Sequence, residues 1–335
     1  MAKGKHNAAV HCLSSRTRLL KECLGFFYEN WNHRYDYPVY IHHFDEIYPQ
    51  DFVDDIKNSI SKNIFFHQID YGVPSHINEK DLFYNRRHLR YVRETFPISR
   101  IGYLHMEYFV SNLHKFGEKG CVVKELEKYD YIMRIDDDSW FKQRIEYDLF
   151  DYVVDTPISS GYSWCHEHWR HEDTTEQLWP FYLNYLKLNK IDVKNIKNEV
   201  LRNAVLTQAK QATFPQTVRI TCGNLNIYNV KMLKDAGFSD WMNAVNEYGG
   251  NYKHRWGDIE ILALFAGTMF EKPIHDLDLV KQGVYESRLP STEFAPTVQK
   301  DELSKSLRLK NKALDKLAKL TMKYRVLRKL GISNK

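Results

Sequence analysis

The chain is short of cysteine, long apolar runs and positive charge in its body, and each shortage excludes something. Its five cysteines, Cys12, Cys23, Cys121, Cys165 and Cys222, are odd in number, far apart and free of any CxxC pair. Neither a disulfide framework nor a zinc knuckle is implied, and a reducing compartment is expected. The opening MAKGKHNAAVHCL has two lysines but no apolar stretch of the kind that begins a signal peptide. No apolar window of the roughly 18 to 20 residues that a membrane span needs occurs anywhere, so the chain reads as soluble and cytoplasmic. Of the overall net charge of +5, residues 300–335 hold twelve Lys and Arg against three Asp and Glu, which leaves −4 on the other 299 residues. A nucleic-acid groove across the body would need a positive face there and is excluded. Internal repeats and low-complexity segments are also absent.

What is present is a globular composition. The 335 residues are 43% apolar, enough for a large core. Aromatics make up 14%, with 22 Tyr and 7 Trp, which suits stacking on sugars or bases as well as an aromatic-rich core. AAVHCL (8–13) reads as a strand, 17–31 carries apolar residues at helical spacing, and PVYIH (38–42) reads as a second strand. Strand, helix and strand argue for a parallel sheet covered by helices. Further strands are expected over 63–67, 131–135, 159–164, 220–228 and 268–274, with helices over 99–115, 175–187, 230–236 and 258–267. The body, 1–289, is expected to be followed by a linker, 290–300, beginning PSTEFAP, and by a basic helical tail, 301–335. Leu303, Leu307, Leu314, Leu317, Leu320, Tyr324 and Leu327 give that tail an apolar stripe, so it can lie on an anionic membrane surface or dock on protein.

Two stretches carry candidate chemistry. In YDYIMRIDDDSWF (129–141) three aspartates follow a buried-strand pattern. A strand that ran on through them would send Asp136 and Asp138 to one face, together with Arg134, and Asp137 to the other. Two carboxylates at the carboxyl end of a strand suit Mg2+ or Mn2+ carrying a nucleotide diphosphate. A solvated turn is the plainer reading. In GGNYKHRWGD (249–258) Asp258 could cap the following helix or orient and deprotonate an acceptor hydroxyl. His254, Arg255 and Trp256 before it offer an anion binder and a sugar-stacking face. His275 in EKPIHDLD could be a third metal ligand or a structural histidine. Cys165, His166, His168 and His171 have the composition of a zinc site without its spacing and read better as a polar loop.

Taken in order, WNHRYDYPVYIHHFDEIYPQDF, YLHMEYFVS, YDYIMRIDDDSWF, TTEQLWP, GNLNIYN and GGNYKHRWGD resemble glycosyltransferase family 15, the fungal α-1,2-mannosyltransferases. The resemblance implies a GT-A fold, a Rossmann-like mixed α/β sheet flanked by helices, with GDP-mannose as donor, Mn2+ as cofactor, a glycan acceptor and retention of configuration. The family's R-V-E-P-D falls on Arg134, Ile135, Asp136, Asp137 and Asp138, so Arg134 would bind the diphosphate and Asp136 and Asp138 the metal and donor. Asp137 would be a bystander. The family's R-W-G-D falls on Arg255, Trp256, Gly257 and Asp258, and its Y-R-H-M on Tyr103, Leu104, His105 and Met106, the arginine being replaced. The family's proposed glutamate nucleophile falls on Thr221, and no Asp or Glu lies between Val205 and Lys234 to replace it. A front-face route, in which the leaving diphosphate helps to deprotonate the acceptor, needs none. The family's metal-binding histidine has no counterpart in LVKQGVYES, so His275 takes that role or the metal has only carboxylates and diphosphate. A UDP-hexose donor, a metal-dependent phosphatase or nuclease, and a non-catalytic sugar binder are the alternatives.

Overall fold

The computed structural model describes residues 4–14, 16–43, 48–69, 72–83, 100–112, 123–165, 175–211 and 213–290, with side chains in 100–111 from Leu104 onward. The Tyr103 side chain, His166, His168, His171 and the basic tail lie outside these residues. The chain divides into two units, 1–289 and 290–335, and the account below concerns the first.

The expected opening is present. Strand β1 (Ala8–Leu13) leads to α1 (Thr17–Phe27), whose Leu20, Cys23, Leu24 and Phe27 are buried at helical spacing, and then to β2 (Val39–His43). After α2 (Gln50–Ser59), β3 (Ile64–Gln68) and α3 (Arg100–Ser111) comes β4 (Tyr131–Asp136), the strand that ends in the acid cluster. Next are β5 (Trp140–Phe141), β6 (Ile158–Ser160), β7 (Ser163–Cys165), α4 (Leu178–Leu188), α5 (Glu199–Gln208), β8 (Arg219–Thr221) and β9 (Leu225–Asn229). The described part closes with α6 (Val230–Asp235), α7 (Phe238–Tyr248), α8 (Gly250–His254), α9 (Asp258–Met269), β10 (Ile274–Asp276) and β11 (Tyr285–Glu286).

The main sheet has the order β10-β6-β9-β4-β1-β2-β3. Neighbours pair in parallel except β9, which runs antiparallel between β4 and β6. Cys12, Ile41, Met133 and Ile135 face one core with α1, whereas Ala9, Tyr40 and Ile132 face another with Phe109 and Val110 of α3. Three sequence expectations are corrected. The span 220–228 is two strands, because Gly223 turns the chain with φ +66°, a conformation open to glycine. The span 159–164 is likewise divided between β6 and β7, and 268–274 is the end of α9 followed by β10. Among the described residues no helix is long and apolar enough to cross a membrane.

Candidate active site

Alternation along β4 puts Arg134 and Asp136 on the α3 side of the sheet, where Arg134 is in register with His11 of β1 and Asn226 of β9. Arg134 is buried, and a buried guanidinium must be paired. Its Nη1 donates to Asp258 Oδ2 at 2.6 Å and its Nη2 to Asp136 Oδ1 at 3.2 Å. Burial would discharge it, but Asp258 and Asp136 outweigh that effect and hold its pKa well above the ordinary value. Asp258 does not cap its helix. The N-cap of α9 is Gly257, and Asp258 is the first helical residue, its carboxylate turned to Arg134 while its backbone N–H donates to Glu107 Oε2 at 3.2 Å. The site thus joins β4, α3 and the start of α9. Glu107, buried on α3, was missed by sequence reasoning. Its place among Met106, Tyr108, Phe109 and Val110 was the available signal.

The strand does not run on through the acids. It ends at Asp136, and 137–138 form a turn. Asp136 N–H donates to Asn224 O at 3.2 Å, Ser139 Oγ donates to the same carbonyl at 3.0 Å, and Leu289 N–H donates to Asp138 O at 2.7 Å. Asp137, read as a bystander, is buried and fully engaged. Its Oδ2 accepts from Ser14 Oγ at 2.5 Å and from Arg16 Nε at 3.1 Å, and its Oδ1 pairs with Arg16 Nη2. The same Nη2 lies 3.2 Å from Asp138 Oδ2. Neither Ser14 nor Arg16 was singled out from sequence. Burial pushes Asp136 up to about 6 despite Arg134, with Asp138 the acid that adds most to the rise, and burial raises Asp138 as well.

The donor set fits a hard divalent cation. Asp136 and Asp138 offer carboxylate oxygens, their charges repel, and both are held in a form that gains from an added positive charge. Both oxygens of Asp137 already accept from Ser14 and Arg16. His275 is not brought to this place. It stands on β10, three strands from β4, and its register with Ser159, Ile227 and Met133 puts it on the opposite face. Its ring stacks on Tyr152 at 5.6 Å. Among the described residues the one set of three metal-capable side chains, His6, Asp148 and Asp151, is elsewhere, and Lys5 and Tyr37 already bond its carboxylates.

The remaining candidates are placed as follows. Trp256 is fully buried, stacked on Tyr248 at 5.0 Å and 6° and on His254 at 5.8 Å, with its indole N–H on Glu176 O at 2.6 Å. It has no face for a sugar, and the sugar-stacking expectation is corrected. Arg255 is buried in a left-handed conformation, φ +58°, between α8 and α9. His105 is buried on α3, its Nδ1 2.8 Å from Tyr252 Oη. Thr221 ends β8, is buried, and precedes the 222–224 turn whose Asn224 carbonyl holds the acid cluster.

Comparison with known proteins bears on the family and the fold. The sequence pattern of the family described as glycolipid 2-alpha-mannosyltransferase (Glyco_transf_15) matches residues 2–289. The chain is 24% identical over 248 residues to the probable mannosyltransferase KTR4 of Saccharomyces cerevisiae, covering 71% of this chain and 52% of that protein. It therefore spans about half the length of the curated relative it matches. The crystal structure of core-mannan synthase A (CmsA/Ktr4) from Aspergillus fumigatus in its Mn/GDP form superposes with a TM-score of 0.64 at 17% identity, over 82% of this chain and 73% of that one. Ktr4p of S. cerevisiae in complex with GDP gives 0.63 at 20% identity, over 82% and 69%. The shared fold is the GT-A type.

Proposed function

Because the chain belongs to the glycolipid 2-alpha-mannosyltransferase family, we propose that it is a metal-dependent, retaining mannosyltransferase that moves mannose from GDP-mannose to a glycan hydroxyl. The observation that carries this reading is the buried Arg134 held between Asp136 and Asp258 at the carboxyl end of β4, where open α/β sheets bind their ligands. The Mn2+ and GDP of the A. fumigatus neighbour support the choice of cofactor and nucleotide. Asp136 and Asp138 would hold the cation, the remaining positions being filled by diphosphate oxygens and water. A bound Mn2+ or Mg2+ would act as a Lewis acid on the leaving diphosphate.

Arg134 keeps a fixed positive charge beside that position, and Asp258 is oriented by it through one oxygen, which leaves the other to accept a hydrogen bond from a sugar hydroxyl. Thr221 has no carboxylate with which to form a covalent glycosyl intermediate, which favours the front-face route. Released nucleotide should appear with GDP-mannose and Mn2+ and fall by about two or more orders of magnitude in Asp136→Asn and in Asp138→Asn. Turnover of UDP-hexoses but not of GDP-mannose would change the donor. Sugar binding untouched by either substitution, with no donor turned over, would favour a non-catalytic sugar binder, the reading that Thr221 suggests. The twelve basic residues of 300–335 are proposed to contact anionic membrane. Deleting 296–335 should abolish binding to phosphatidylserine vesicles, and unchanged binding would contradict that.

A further inference from the structure

The guanidinium of Arg16 lies across the two acids that follow β4. Towards Asp137 it makes a two-pronged pair, Nε to Oδ2 at 3.1 Å and Nη2 to Oδ1, with Ser14 Oγ holding Oδ2 from the other side. Towards Asp138 it makes one contact, Nη2 to Oδ2 at 3.2 Å. The two bonds are unequal in kind. A bidentate arginine–carboxylate pair on a buried aspartate is geometrically fixed, whereas a single longer contact to a partly exposed one is easily exchanged. The Arg16 side chain is 43% exposed and that of Asp138 19%, so the contact sits at the solvent side of the cluster. Arg16 itself stands just past the carboxyl end of β1, the strand next to β4.

We propose that Arg16 is a resident counter-ion for Asp138 that a divalent cation must displace, and that Asp137 and Ser14 are the tether that keeps the displaced guanidinium at the site, where it meets the diphosphate. The proposal rests on the metal-dependent reading above and deepens it. A cation on Asp138 would be repelled by the guanidinium 3.2 Å from Asp138 Oδ2, so part of its binding free energy goes into moving that charge away. Once released from Asp138, Arg16 remains on Asp137 and presents its other N–H groups to anionic oxygens, for which a planar guanidinium is well suited. Arg16 would thus lower affinity for the bare cation and raise it for the nucleotide that arrives with the cation. Asp137 and Ser14 act through Arg16 and are positioning residues.

The test measures two affinities on the full chain. Mn2+ alone is titrated by electron paramagnetic resonance, and GDP is titrated by calorimetry at saturating Mn2+, for wild type, Arg16→Gln and Arg16→Lys, with thermal melts as a check on folding. Arg16→Gln is expected to bind Mn2+ alone about three- to tenfold more tightly, because a like charge a few ångströms away has gone, and to bind GDP about three- to tenfold more weakly. Arg16→Lys, which keeps the charge without the fork, should fall between. A side chain that merely braces the turn would weaken both affinities together, and that result, or an unchanged Mn2+ affinity, overturns the proposal. If Arg16→Gln does not fold, Arg16→Lys decides by the same opposition of signs. Wild type that binds neither Mn2+ nor GDP would instead overturn the metal-dependent reading itself.

Discussion

Asp137 gives both carboxylate oxygens to Arg16 and Ser14, and this changes what its removal should do. Strand alternation makes it an idle residue whose loss is harmless, but the strand stops one residue earlier and the turn points it inward. Breaking a buried ion pair from one side costs about 3–5 kcal/mol. Arg16 is 43% exposed and can return to water, so a discounted loss of about 1–3 kcal/mol is expected for Asp137→Ala. Urea denaturation with an unchanged m-value should read it as a lower midpoint. A shift below about 0.5 kcal/mol would restore the bystander reading. Asp136 differs in kind, for it gives one oxygen to Arg134 and is already pushed up, first by burial and then by the other acids. Its loss should relieve repulsion in the resting protein and be felt in binding.

Helix α8 is five residues long, and its position depends on one absent side chain. A Cβ on Gly250 would stand 1.8 Å from Trp256 Cε3, and Trp256 is locked by Tyr248, His254 and Phe181. Gly250→Ala should therefore destabilise the protein by about 1–3 kcal/mol. Since residues 255–257 link this helix to Asp258, turnover should fall with it. A melt unchanged within a degree would show that the ring can move aside. The same element shows how far sequence carries. The strands β1, β2 and β4 were legible because strands buried on both faces read as apolar runs, and the acid cluster because charge interrupts such a run. Arg134 and Asp258 were each legible from local pattern, but their bond joins positions 124 residues apart. Trp256 and His275 were misread for related reasons. Residue type is visible in a sequence, whereas burial and the order of strands in a sheet are settled by distant partners.

At the scale of the molecule, the buried His42 sets part of how stability responds to acid. His11, His42 and His67 lie across β1, β2 and β3, with ring centroids 4.9 Å and 5.8 Å apart, and Phe109 of α3 packs 5.8 Å from His42. Glu125 Oε1 is 2.7 Å from His42 Nε2 and 3.5 Å from His67 Nδ1. Burial lowers the His42 pKa from 6.5 even though the Glu125 carboxylate favours the charged ring. Unfolding returns the ring to its ordinary value, so below pH 6.5 the unfolded chain binds a proton that the folded chain refuses. Stability from this source is complete above pH 6.5 and is lost as the pH falls through the folded value. Asp136 acts with the opposite sign. Its folded pKa of about 6 lies above the ordinary 3.8, so between those values the folded chain holds the extra proton and is favoured by acid. The two effects partly cancel in wild type, and a single pH–stability curve would hide both. The difference between wild type and His42→Gln isolates the histidine. Wild type should lose up to about 1.4 kcal/mol per pH unit more than the variant on acidification below 6.5, measured by denaturant midpoints between pH 7.5 and 5 at about constant ionic strength. Parallel curves over that range would mean that the folded and unfolded rings share one pKa, and a wild type that gains stability relative to the variant would mean that Glu125, not burial, governs it.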